Sequence, residues 1–381
     1  MVDGVQVAFQ RFYGDYKEAF HPSNEQDRAA FSIILCKTGN LGANASVCDG
    51  CGHVEFHNNS CRNRHCPSCQ AVNTEVWIDN RNSEIVDAPY FHVVFTVPHK
   101  LNDLFCANQS AMYSLFHRSV SETLLKLSTD KKFLGAVPGI IQILHTWGQE
   151  LNYHPHIHCI VTGAGLTKDL RFVKGAKGFF IPVWVLSKVF RGKFIHGLQK
   201  LFESGSLLFT GKLSHLKEAG EWSDFTKSLY LKEWVPFIKE TLNNFGNAVK
   251  YLGRYSHRIA ISNSRIISVT DEGVTFSAKD YRDNSTKTLT ISGVEFIRRF
   301  LMHVLPKGFQ KIRYTGFLNN RFKSKNLTII SRITGRLFQK RRLAGLKIAE
   351  IIALLWKVDI RSCPICHNGS LRQLGFMASR C

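Results

Sequence analysis

The chain has 381 residues, 44% of them hydrophobic, and its 50 Lys and Arg against 29 Asp and Glu give a formal net charge of +21. That length supports two or three domains and a sizeable core, and the basic excess favours a polyanionic partner. No run of 18 or more apolar residues occurs, and Met1-Val2-Asp3-Gly4 lacks the basic and apolar regions of a signal peptide; this argues against a membrane span or export and predicts a cytoplasmic protein.

Residues 1 to about 35 read as helical, with Phe9, Phe12, Tyr13, Tyr16 and Phe20 at roughly helical spacing. Residues 36–80 hold a cysteine cluster. Tyr90 to Pro98 is a β-rich run stopped by proline, 103–128 an amphipathic helix, and 139–148 a second strand. After a polar turn, His156 to Thr162 reads as a third strand closed by Gly163, so two antiparallel neighbours are expected. Residues 183–250 carry helical patterning, notably 185–204 and 225–245. Short strands follow at 258–262, 265–270, 274–280 and 287–291, then a helix near 293–303 and a strand at 311–315. From 319 the chain reads as basic and helical, ending in Cys363-Pro364-Ile365-Cys366. The reading is α+β in three parts: a helical and zinc-binding module over 1–82, a catalytic domain over 83–318, and a basic region over 319–381.

Six of the eleven cysteines fall in Cys-x-x-Cys pairs. Without a secretion signal, that spacing favours zinc over disulfides. Cys48, Cys51, Cys66 and Cys69 match a four-cysteine zinc site, each pair on a tight turn presenting two thiolates. Such a closed site stabilises a fold and leaves no open position for catalysis. Cys61 and His65 lie between the pairs and could replace one ligand. Arg62, Arg64 and His65 make a basic knuckle suited to DNA phosphate. Cys363 and Cys366 form half of a second candidate site, with His367 or Cys381 as helpers. Cys36, Cys106 and Cys159 sit in apolar surroundings and read as core.

His154-Pro155-His156-Ile157-His158 places His156 and His158 on one face of a strand, because strand side chains alternate. A lone histidine on an apolar strand is usually a core residue; two on one face form half of a divalent-metal site. His145, ending the neighbouring strand, is the expected third ligand. Gln149 and Glu150 come next, and His257 is less favoured. Three imidazoles leave open positions for a phosphate oxygen and waters, which suits Mg2+ or Mn2+. Tyr251 and Tyr255 follow, spaced to share a helix face, with Arg254, His257 and Arg258 close by. On spacing alone two such tyrosines are more often core aromatics. Beside a metal that polarises phosphate they become nucleophiles that hold a cut strand as a 5′-phosphotyrosine.

These residues resemble a known family. His156-Ile157-His158 followed by Tyr251-x3-Tyr255 resembles the two-tyrosine HUH endonucleases. A cysteine module, then His-Pro-His-Ile-His, then Tyr-Leu-Gly-Arg-Tyr-Ser-His-Arg resembles the rolling-circle transposases of the insertion sequence 91 family. Ser60 to Cys69, His145-Thr146-Trp147-Gly148 and Gly308-Phe309-x3-Arg313-Tyr314 match as well, so the resemblance covers roughly residues 15–370. It implies a ferredoxin-like catalytic sheet, single-stranded DNA at element ends and target as substrate, and a bacterial, nucleoid-associated protein. Tyr251 and Tyr255 would be catalytic, with Arg62, Arg64, Arg254 and Arg258 on DNA.

Two other readings compete. A plasmid replication initiator or relaxase would keep the chemistry, though the amino-terminal zinc module argues against it. A zinc-dependent regulator would bind DNA without cutting it. The chain has no ATP-driven motor: Gly205 to Lys212 has the wrong spacing for a phosphate loop, and Leu213 stands where Ser or Thr would hold magnesium. Unwinding would fall to a host helicase or replication machinery.

Overall fold

The computed structural model describes residues 3–175, 181–240, 249, 253, 260–280, 283 and 285–378. α1 (Gly4–Phe20) buries Val5, Phe9, Phe12, Tyr13 and Tyr16 along one stripe. α2 (Asn24–Ile34) begins at a capping box: the Gln26 N–H donates to Ser23 Oγ, and the Ser23 N–H donates to Gln26 Oε1. A small hairpin follows, β1 (Ala43–Cys48) with β2 (Val54–Asn58), and then α3 (Ala71–Asn82).

The largest sheet is built from β3 (Tyr90–Thr96), β4 (Val137–Trp147), β5 (Tyr153–Leu166), β7 (Phe237–Glu240) and β11 (Ile312–Gly316), in the order β11-β4-β5-β3-β7, with β6 (Phe172–Lys174) beside β5. All its pairings are antiparallel. α4 (Asn102–Ala107) and α5 (Gln109–Thr129) lie between β3 and β4, and α6 (Val183–Glu203) and α7 (Ala219–Tyr230) between β5 and β7. β3-α5-β4-β5-α6-β7 is therefore a βαββαβ unit with β5 inserted between β3 and β4, the ferredoxin-like split βαβ. The expected α+β class with a central antiparallel sheet is what the chain forms.

Alternation divides this sheet into two chemistries. Phe91, Val93, Phe95, Ile140, Leu144, Ile157, Cys159 and Val161 pack under Phe116, Phe190 and Phe194 of the helices in the main core. Burying each large side chain contributes about 1.5–3 kcal/mol. On the opposite face Ile141, Ile143 and Ile160 pack with Trp77 and Ile78 of α3 and with Val249, and the histidines stand among them.

A second core joins α1 and α2 to a sheet of β8 (Ile266–Thr270), β9 (Gly273–Lys279) and β10 (Thr286–Ile291) and to α8 (Gly293–Leu301), through Phe9, Phe12, Phe276, Phe296 and Phe300. The remaining elements are α9 (Lys323–Thr334), α10 (Ile348–Trp356) and β12 (Leu371–Met377).

Three expectations are corrected. The helix expected over 225–245 ends at Tyr230, and Phe237–Glu240 is a strand on β3; Pro236 cannot continue a helix, and the open edge of β3 takes the chain instead. In the strand expected at 258–262, residues 258 and 259 lie outside the described residues and 260–262 are not strand. The region after 319 is not helical throughout, because β12 pairs with β1. The linear division at 82 and 318 remains an organisational proposal, since packing crosses both boundaries.

Candidate functional site

The β4–β5 register sets His145 directly opposite His156, with His158 two residues along. One ligand nitrogen from each of the three lies within 4.8 Å of the others. The rings are close, with centroids 4.5 Å apart for His145 and His158 and 4.9 Å for His156 and His158. Of the candidates for third partner, the sheet brings His145 to the pair. Among the described residues Glu150 does not join this group; the backbone carbonyls of Gln149 and Glu150 accept from Arg265 and Arg299.

Hydrogen bonds orient these rings. The His154 carbonyl can only accept, so His156 carries its proton on Nδ1 and donates it across 2.7 Å. Its Nε2 lone pair is left for a ligand. His158 Nδ1 lies 2.8 Å from His92 Nε2. When Nδ1 of His158 donates to His92, the His158 Nε2 lone pair likewise faces the cluster. Metal-bound imidazoles are held in this way. Burial pushes His156 down to about 4, His158 well below its ordinary value and His92 to about 4. His156 and His158 are thus held neutral at pH 7, as imidazole ligands of a divalent cation must be.

Two residues of this site escaped the sequence reading. His92 shares the histidine face by the alternation of Phe91, Val93 and Phe95, a signal present in the run already read as a strand. Lys311 had no such signal. It reaches the site because its carbonyl accepts from the Leu144 N–H, which docks residue 311 beside β4. Its ammonium stands 4.8 Å from the Trp147 ring centre and acts electrostatically on His156 and His158. Burial pushes that amine down to about 7, with Arg64 adding to the effect.

Tyr251, Arg254, Tyr255 and Arg258 lie outside the described residues, as does His257. Two neighbours of the tyrosines are described. Val249 is fully buried in the cluster holding Ile141, Ile143 and Ile160. Gly253 abuts α3 so closely that a Cβ there would come within 2.3 Å of Ile78 Cγ1.

The cysteines do not group as expected. Cys66 and Cys69 join Cys36 and Cys61, whereas Cys48 and Cys51 join Cys363 and Cys366. The physical reason is strand pairing: β12 pairs with β1 and brings the Cys363–Cys366 turn against the Cys48–Cys51 turn. Cys36, expected in the core, is a member of the first cluster. His65 is not a ligand; it is buried and its Nε2 accepts from Arg64 Nε.

Arg64 is also corrected as a DNA contact. Its guanidinium donates to the carbonyls of Leu305, Pro306 and Phe309, so it ties the cysteine module to the loop before β11. Arg62 is exposed. Replacing Arg64 with Ala strips donors from three carbonyls and is expected to destabilise the protein by about 3 kcal/mol. A denaturant midpoint unchanged in Arg64→Ala would contradict this.

Residues 8–97 match the family described as "Transposase zinc-binding domain", and residues 139–326 that described as "Putative transposase". Over 97% of this chain and 94% of the other, the sequence is 40% identical to "Putative transposase y4qJ" of Sinorhizobium fredii. The chain belongs to the insertion sequence 91 family of transposases. The transposase is also 32% identical to the "Transposase for insertion sequence element IS801" of Pseudomonas savastanoi pv. phaseolicola, over 76% of this chain and 69% of that one. Among solved structures it resembles the conjugative relaxase TrwC in a metal-bound complex with oriT DNA, at 11% identity, 44% and 71% coverage and a TM-score of 0.24. The matched zinc-binding domain contains the whole of the Cys36 cluster and half of the Cys48 cluster. Among the described residues, no helix of the transposase is long and apolar enough to cross a membrane.

Proposed function

We propose that this transposase nicks and rejoins single-stranded DNA at element ends through 5′-phosphotyrosine intermediates, with Tyr251 and Tyr255 as nucleophiles. The observation that carries this reading is the meeting of His145, His156 and His158 within 4.8 Å on one sheet face. These imidazoles would hold Mg2+ or Mn2+, and the bound ion supplies electrophilic polarisation of the scissile phosphate. The burial of Val249 on that face and the close approach of Gly253 to α3 support delivery of the intervening tyrosine there.

In the first step the phenol oxygen forms a bond to phosphorus and the bond from phosphorus to the 3′ oxygen breaks. The phenol loses its proton, and the departing 3′ oxygen gains one. Lys311, whose amine is pushed down to about 7 beside the histidines, is placed in its protonated form to offset charge on the phosphate as this happens. The reverse reaction, with a different 3′-hydroxyl as nucleophile, joins new ends without an external energy source. Arg62, Arg254 and Arg258 would contact DNA phosphate. A groove of about 490 Å3 beside His154, bordered by His99, Lys279 and Lys287, offers the strand a path. Unwinding would come from a host helicase.

The test is incubation with a single-stranded oligonucleotide carrying an element end, in manganese or in EDTA. A covalent adduct is expected with manganese alone. Tyr251→Phe combined with Tyr255→Phe should lower adduct yield by more than about 10^3-fold while DNA binding persists. An adduct that survives EDTA, or forms in the double Phe variant, would overturn the reading.

A further inference from the structure

We infer that Cys48, Cys51, Cys363 and Cys366 form a second structural zinc site, a two-knuckle ribbon that clasps residues 363–377 onto residues 43–58. Its sulfurs lie 3.6 Å apart for Cys48 and Cys366 and 3.7 Å for Cys51 and Cys363, and all four lie within 4.8 Å of one another. Four thiolates around tetrahedral zinc, with bonds of about 2.3 Å, stand about 3.8 Å apart.

The backbone around the sulfurs is arranged for thiolates. The N–H groups of Gly50 and Cys51 point to Cys48 Sγ at 3.3 and 3.4 Å, and the Gly369 N–H points to Cys366 Sγ at 3.3 Å. Each pair thus has the same kind of turn, with amides stabilising negative sulfur. The two turns touch through glycine: a Cβ on Gly369 would lie 2.3 Å from Cys48 Sγ. Beyond the knuckles, Cys48 to Ala43 pairs antiparallel with Leu371 to Met377, and the Asp49 carboxylate accepts from the Ser370 N–H and from Arg372.

A second observation says why a metal is needed. The three-stranded sheet β12-β1-β2 has almost no apolar interior. Of its strand residues only Ala43 and Cys48 are buried, while Phe56, Leu374, Phe376 and Met377 are exposed. A sheet this small has too little burial to hold itself, and small modules of this kind draw their stability from metal. The site does not depend on the tyrosine chemistry proposed above.

Zinc content of the purified full-length protein tests the inference. Cys363→Ser with Cys366→Ser should remove one zinc per chain, and Cys48→Ser with Cys51→Ser should remove the same one. The fourfold variant should therefore lose one zinc and not two. Equal zinc in the parent and the Cys363/Cys366 variant, or losses that add, would overturn the site. Thiol labelling of the unaltered protein guards against misfolded variants. Cys51 is solvent-exposed, so a maleimide should modify it rapidly only after chelation, together with Cys366. Rapid labelling of Cys51 in the zinc-loaded protein would equally refute the clasp.

Discussion

Replacing His156 and His158 together with Ala is expected to lower the rate of covalent adduct formation by about 10^4-fold. Both imidazoles point from β5 into the same small volume as His145, so no single neighbour can replace them. His92→Ala should behave differently. His92 bears on the site through its ring contact with His158 and the 2.8 Å approach to His158 Nδ1, so its loss frees that ring to turn and should weaken metal binding about 10–100-fold. Excess manganese should then restore much of the His92→Ala activity and none of the double variant's. Metal titration of adduct formation in the three proteins separates these outcomes. Full activity in the double variant, at any metal concentration, would remove the catalytic role of the cluster.

The second large effect concerns acid. Burial holds His65 and His117 down to about 3 and His92, His156 and His303 to about 4, with His158 lower than its ordinary value as well. In the unfolded chain each takes a proton near pH 6.5. Between about 6.5 and 4 the unfolded form therefore binds more protons, and stability falls as pH drops through that window. Each group contributes about 1.4 kcal/mol per pH unit there, so roughly 2 kcal/mol is lost per histidine by pH 5. Carboxylates do not offset this loss. Arg298 and Arg299 hold Glu295 down to about 2, and its contribution, present above its ordinary value of 4.5, disappears only as pH falls through 2. The expected result is a drop in thermal midpoint of more than about 10 °C from pH 7 to pH 5. Calorimetric proton uptake on unfolding should be larger by about five protons at pH 5.5 than at pH 7.5; a difference below two would show that the histidines are not kept neutral.

The histidine face was legible because strand alternation is strict. Once His156 and His158 were placed on a strand, their shared direction followed, and the short turn before them made His145 the neighbour. His92 was readable by the same rule but had no paired histidine beside it in sequence to draw attention. The cysteine grouping was not readable. Cys-x-x-Cys spacing defines a half-site, and which halves meet depends on long-range strand pairing that leaves no local trace. The same holds for β7, where a short strand after Pro236 is chosen by the vacant edge of β3 and not by its own pattern. Arg64 shows a further limit: a basic residue beside a cysteine turn looks like a phosphate contact until the carbonyls of 305–309 fold over it.

Pairing of Cys48 with Leu371, 323 positions later, has a bearing on how the molecule is made. At typical synthesis speeds β1 waits roughly 15–65 s on the ribosome before its mate emerges. Throughout that interval one flank of the young hairpin offers bare amides and carbonyls to any passing strand. Completion of this module thus comes late in synthesis, and a chain cut short after the central sheet would keep an adhesive edge.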